Sequence, residues 1–460
     1  MKKNTKILLG VILGIIVLAG IVAGALAINS RIQKENNAIN AEKERIAATA
    51  AEAAAKIAVQ KQLVEDFKNI YGSLYNFKSI ISKGATGIDI EFFDVAFINE
   101  TDFACIGNSS KLSSESEDGT DTLTSKGFIK KFTKGSDKAV WTKEYKEYYF
   151  NDVTVTKTGD ILAVGNADFE GPAFIIKYSG DGKQLWRKDW KGTAQAVTLD
   201  DENNFLIVGG NTILKLDSDG KQLWKKSVNN GYELLSCVQD ADKNYLAVGN
   251  HMVGGEGEPF ERKAIIAKYS KNGEQLWKKE YKETDDCALY SIKALSGGGV
   301  VVAGAINNSV YNNDDEDYTR DGSVDGVIIK YNSDGDIISK IQYNSVAPDE
   351  VFYDIEIVSL NGKDDVVIAV GESYNMDKES GEIVINETKR ALMVVFDNDK
   401  VLYEHTLSGY DASSFKRICL YNNDWKNCIL PGSVFDDKSR KGGEPFVMWY
   451  GGYQGLLMFK

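Results

Sequence analysis

Residues 196–226, AVTLDDENNFLIVGGNTILKLDSDGKQLWKK, contain one complete structural unit. An alternating strand, AVTL, runs through a polar turn into an apolar strand, FLIVG, that ends on Gly209. A third strand, TILKL, an Asp-Gly turn and a fourth strand carrying Trp224 complete it. Short runs bounded by Gly, Asn and Asp clusters are the pattern of antiparallel strands joined by tight turns. The second strand is apolar at successive positions, which suits a strand covered on both faces between stacked sheets.

The same unit recurs on both sides. Second strands read FACIG, ILAVG, FLIVG, YLAVG, VVVAG, VIAVG and CILPG, ending on Gly107, Gly165, Gly209, Gly249, Gly304, Gly371 and Gly432. Third strands read GFIKKF, AFIIKY, TILKL, AIIAKY, GVIIKY, ALMVVF and the terminal GLLMFK. Turns with Gly182, Gly220, Gly273 and Gly335 follow, where a hairpin needs positive φ. Trp141, Trp186, Trp224 and Trp277 open the fourth strands, with Ser339 and Tyr403 in the same place later. Four strands repeated seven times predict an all-β fold, a seven-bladed β-propeller of four-stranded blades over residues 77–460. With GLLMFK as the last third strand, the missing fourth strand falls to residues 77–81 near the amino terminus. That strand would close the ring and remove its exposed edge.

Composition agrees and excludes several function classes. Glycine is 43 of 460 residues and proline only 5, as many tight turns require. A net charge of −13 argues against nucleic-acid binding. Two histidines, His251 and His405, leave little for a multi-histidine metal site or a Ser/His/Asp enzyme. Upstream, residues 7–28 are 22 apolar residues without a charge, enough to span a bilayer as a helix. Lys2, Lys3 and Lys6 place residues 1–6 in the cytoplasm and the remainder outside. A signal anchor is the reading adopted, and a cleaved signal peptide ending near Ala25-Leu26-Ala27 competes with it. Residues 29–71, rich in Ala, Glu, Lys and Gln, predict a helical stalk. Gly10/Gly14 and Gly20/Gly24 give the anchor a route to homo-oligomers, as does the partial heptad of the stalk.

The wording K-Y-S-x-D-G-x-x-L-W, followed by an alternating strand and L-A-V-G, resembles two bacterial families. These are the seven-bladed β-propeller repeat proteins and the quinoprotein-like (PQQ-like) propeller repeats. The resemblance covers residues 77–460 and is clearest at 153–281. It implies the fold and leaves function open; these families include many exported proteins. The quinone-dependent relatives carry an adjacent cysteine pair that this chain lacks, so no PQQ is expected and no resident cofactor is indicated.

Length variation points to one rim. The distance from the second-strand glycine to the matching third-strand position runs from 6 to about 27 residues. The connections between second and third strands are therefore the expected binding surface. Four of the eight arginines, Arg262, Arg320, Arg390 and Arg440, fall one each in the connections of repeats four to seven. Converging guanidinium groups can clamp a carboxylate or phosphate, and surface ion pairing with nearby acids is the plainer alternative. His251 is a further candidate ligand residue. Asp314, Asp315, Asp317 and Asp321 can supply oxygens to calcium, although Ile328 stands where a closing Glu is needed and a solvated acidic loop is the simpler reading. Cys419 and Cys428 flank LYNNDWKN. With a turn at Asn423-Asp424 they lie directly opposite each other, within disulfide reach.

The sequence therefore predicts a single-pass membrane protein with its propeller outside the cytoplasm, binding an envelope protein or a cell-wall glycan through the rim. The reading from another class is an exported carbohydrate-active enzyme using rim carboxylates.

Overall fold

The computed structural model describes residues 2–74 and 88–450, apart from 114–121, 135, 137, 169–170, 230, 256–257, 282–285, 308–309, 312–319, 322–323, 345–348, 361–362, 375–388, 398–399, 408–411, 423 and 437–440. Two compact units divide between Asp66 and Phe67. The first is helical: a single α-helix, Lys2–Leu74, carries the apolar run and the Ala-rich segment without a break. By length and composition, this helix is able to cross a membrane once.

The second unit is built from antiparallel meanders. The first sheet contains Ile88–Phe97, Asp102–Ser113, Thr122–Thr133 and Trp141–Lys146 in that order. The second (148–190) and third (196–227) repeat it. The fourth (232–280), fifth (286–343) and sixth (349–406) do the same, joined to one another by single parallel bridges at Arg262–Asp286 and Val324–Asp349. In the last sheet, Ala412–Phe415 and Cys419–Tyr421 both pair with Asp424–Asp436, which pairs in turn with Lys441–Tyr450.

Successive sheets stack face to face, and this explains the double-sided apolar strands. In the second sheet Ile161 and Ala163 pack against the first sheet, while Leu162 and Val164 pack against the third. Similar clusters join the third to the fourth, the fourth to the fifth and the fifth to the sixth. Phe92, Phe103, Phe128 and Phe132 of the first sheet share a cluster with Ile429 of the last. Each fully buried side chain of this size contributes about 1.5–3 kcal/mol.

Two signatures acquire structural reasons. Most first strands bulge at one position: between Phe92 and Asp94, Phe150 and Asp152, Leu234 and Ser236, Leu289 and Ser291, and Phe352 and Asp354. The bulge carries a backbone carbonyl over the second-strand glycine. A Cβ at Gly165, Gly249, Gly304 or Gly371 would lie 1.8–1.9 Å from that oxygen, so no larger residue fits. Each Trp covers the turn glycine of the next sheet: Trp141 on Gly182, Trp186 on Gly220, Trp224 on Gly273 and Trp277 on Gly335.

Three expectations need correction. The third strand of the last sheet is Lys441–Tyr450, with Val447 opposite Pro431, and not GLLMFK. This removes the premise for an amino-terminal closing strand; residues 77–81 and 451–460 lie outside the described residues. Several elaborated connections are also extended hairpins: Tyr245–Gly255 pairs with Glu258–Tyr269 out to Gly255, and Asp102–Ser113 with Thr122–Thr133 out to Ser113. Finally, the hairpin near the cysteines turns at Asn422 (φ 52°) and pairs Tyr421 with Asp424. Asn tolerates that left-handed conformation, and an irregularity between Leu420 and Tyr421 leaves the register beyond it one residue away from the expected pairing. Cys419 then faces Ile429, and Cys428 faces Leu420. The two cysteines project from opposite faces, and all five cysteines are free thiols.

Candidate functional site

The first-strand bulges converge on a single cavity. Phe93, Asn151, Leu235, Tyr290 and Tyr353 are the bulged residues of five sheets; Gln195 and Lys416 hold the same place in the third and last. Together with Asn108, Tyr149 and Arg417 they line a cavity of about 340 Å³. One residue type per sheet, repeated around an axis, builds a pocket whose chemistry is set sheet by sheet.

In several blades the residue after the bulge ties its sheet to the next. Asp94 accepts a hydrogen bond from the Val153 amide (2.8 Å), Asp152 from the Val197 amide (2.6 Å), and Asp354 from the Ile418 amide (3.0 Å). Ser291 donates to Asp354 Oδ1 (2.6 Å). In the last sheet this position is Arg417, whose Nε lies 3.9 Å from Asp94 Oδ1 of the first. Its Nη1 donates to the Tyr353 carbonyl (3.4 Å). Burial and the neighbouring charge of Asp152 push Asp94 well above the usual carboxylate range, against Arg417 and the Val153 amide. Burial works against the charge of Arg417, but Asp354, Asp94 and Asp152 outweigh it and raise its pKa. Lys293 and Glu356 form a further pair at 2.7 Å.

The aromatic lining is also ordered. Tyr290 meets Tyr353 edge-on at 5.7 Å between centroids, and Lys416 Nζ sits 5.3 Å from the Tyr353 ring centre. Cations, amides and rings in one enclosure can recognise an anion and pack against the body that carries it.

The residues singled out from sequence lie elsewhere. Arg262 is held by Asp286 of the next sheet at 2.8 Å, as an ion pair between sheets. Arg390 lies half-buried on Lys389–Asp397, opposite Ser373. Arg320 and Asp321 form a small hairpin with Val310–Tyr311. Arg440, Asp314, Asp315 and Asp317 fall outside the described residues. Among the described residues, no group of three or more His, Cys, Asp or Glu side chains is placed to hold a metal. His251 stacks on Tyr232 at 4.1 Å, with Nδ1 3.4 Å from Glu280 Oε1. The cavity residues went unrecognised, although a signal was present. Phe92-Phe93-Asp94, Phe150-Asn151-Asp152, Leu234-Leu235-Ser236, Leu289-Tyr290-Ser291 and Phe352-Tyr353-Asp354 repeat as a large apolar residue, a variable one, then Asp or Ser.

A family model described as outer membrane protein assembly factor BamB matches residues 125–384, more than half of the chain. The chain belongs to that family. It is a PQQ-like β-propeller repeat protein, and the stacked meanders are its blades. No curated protein sequence matches it. Similar solved structures include the WD40 β-propeller domain of Doa1, at 12% identity over 82% of this chain and 99% of that one, with a TM-score of 0.47. A streptogramin B lyase matches at 12% identity over 78% and 98%, TM-score 0.41. BamB from Moraxella catarrhalis matches at 11% identity over 71% and 90%, TM-score 0.35. At these scores the likenesses carry no argument about this chain.

Proposed function

We propose that this protein is a membrane-anchored, seven-bladed propeller that works outside the cytoplasm as a scaffold, binding a protein partner of the cell envelope. The observation that carries the reading is the family match over residues 125–384, whose description is an outer membrane assembly factor. The long apolar helix supports anchoring, and the convergence of seven first strands on one cavity supports the blade count. The extended hairpins between second and third strands are the contact surface, because they elaborate a rigid frame without disturbing its stacking.

The test is cross-linking of intact cells with a membrane-impermeant reagent, followed by purification of the chain. The expected result is capture of a defined protein. Capture should be lost when the hairpin at 250–264 is shortened to the tight Gly209–Thr212 connection of the third blade. Labelling only after cells are broken would overturn the outside placement. Capture of a wall polymer in place of a protein would overturn the partner class.

A further inference from the structure

The axial cavity presents several polar groups that the fold leaves uncommitted. Asn108 Oδ1 is buried and accepts no hydrogen bond. The hydroxyls of Tyr149 and Tyr290, the Gln195 side-chain amide and Lys416 Nζ make no hydrogen bond or ion pair with the described residues. Arg417 engages Asp94 and the Tyr353 carbonyl only at long range, leaving most of its five N–H donors uncommitted. Buried polar atoms are ordinarily satisfied, so Asn108 Oδ1 calls for a partner, and the other groups are free to bind one.

The character of that partner follows from the lining. Among the described lining residues there is no carboxylate, whereas Lys416 and Arg417 are both present. Asp354, Asp94 and Asp152 stand behind Arg417 and offset its charge, which leaves Lys416 as the cation without a paired carboxylate among the described residues. An ammonium and a guanidinium side by side favour an anion, and the planar guanidinium favours a carboxylate. The rings of Phe93, Tyr290 and Tyr353 provide flat apolar faces. The amides of Asn108, Asn151 and Gln195 provide donors and acceptors for hydroxyl or carbonyl groups. A volume of about 340 Å³ is near the lower end for small-ligand sites, which limits the occupant to one ring-sized body.

We propose that the axial cavity binds a small carboxylate carried on a single ring-sized body. Lys416 and Arg417 hold the carboxylate, and Tyr290, Tyr353 and Phe93 pack on the ring. A sugar acid and an aromatic acid both have this chemistry. The site is independent of the hairpin surface, so it stands or falls separately from partner capture.

The experiment is calorimetric titration of the full-length protein in detergent with four probes: glucuronate, glucose, phenylacetate and phenylacetamide. At least one carboxylate should bind, with its neutral counterpart about tenfold weaker or more. Binding of glucuronate alone identifies a sugar acid as the source, and binding of phenylacetate alone an aromatic acid; either result supports the site. Lys416→Gln should weaken the bound carboxylate about fivefold or more while leaving the unfolding temperature unchanged. Arg417→Lys, which keeps the charge, should weaken it less than Lys416→Gln. Three results would overturn the proposal: no carboxylate binding up to ~10 mM, equal binding of a neutral counterpart, or unchanged binding by Lys416→Gln.

Discussion

Gly335 shows how one residue couples two sheets. Its φ is 80°, and a Cβ there would stand 2.9 Å from the Trp277 ring. Both the backbone conformation and the space exclude a side chain, so Gly335→Ala should cost about 1–3 kcal/mol. Gly297 has nothing within 4 Å of a would-be Cβ. Gly297→Ala should therefore be neutral or slightly stabilising, and urea titrations of the two variants would check both expectations. His405 gives a second residue-scale expectation. Burial lowers its pKa from 6.5 to about 4, so the folded protein holds it neutral. Between those values the unfolded chain binds the proton and the folded chain does not. The stabilisation is complete above pH 6.5 and is lost as pH falls towards 4. Unfolding temperatures measured from pH 7 to pH 4 should fall, and His405→Gln should flatten part of that slope. The turn glycines were legible in the sequence because their need is local. The environment of His405 was not, because its burial depends on how the sheet packs and not on its neighbours in the chain.

Along single elements, the third strands of the first four blades carry a lysine in an otherwise apolar run, and these four have the same use. Lys131 pairs with Asp102 (2.9 Å), Lys177 with Asp160 (3.0 Å), Lys215 with Asp200 (2.9 Å) and Lys268 with Asp240 (2.8 Å). The Lys268 ammonium also donates to the Ser333 carbonyl of the following blade at 3.1 Å. Both members of the Lys268–Asp240 pair are buried, so Lys268→Met leaves an uncompensated carboxylate and should cost about 3–5 kcal/mol. Adding Asp240→Leu should recover a large part of that loss, which a double-mutant cycle in denaturant would measure. The strand order and the position of each Trp were readable from repetition: Trp141, Trp186, Trp224 and Trp277 each sit opposite the third-strand lysine. The pairing of those lysines was not readable, since each partner Asp lies about 15–29 positions earlier in the chain and many other acids compete for the role.

Across the whole propeller, the first and last blades meet through a charge that appears in no other repeat. The position after the bulge is Asp94, Asp152 and Asp354 in three blades and Arg417 in the last. Arg417→Gln removes the cation from among three carboxylates and should destabilise the propeller by about 3 kcal/mol. Asp94→Asn keeps an acceptor for the Val153 amide and should cost under ~1 kcal/mol. Combining the two should recover part of the Arg417→Gln loss in thermal unfolding, because the repulsion at Asp94 is then removed. The sequence by itself determined the repeat, the order of its strands, the all-β class and the long apolar helix. Those properties reside in period-two patterning, turn glycines and composition, all read within a few residues. Tertiary structure alone decided which residues share the axial cavity, which lysine meets which aspartate, and on which faces Cys419 and Cys428 lie. The cavity residues stand some 40–65 positions apart and come together only because stacking brings the same place in every repeat to one axis. The cysteines turn on a one-residue shift set by the irregularity between Leu420 and Tyr421, and in a strand one residue is the difference between two faces.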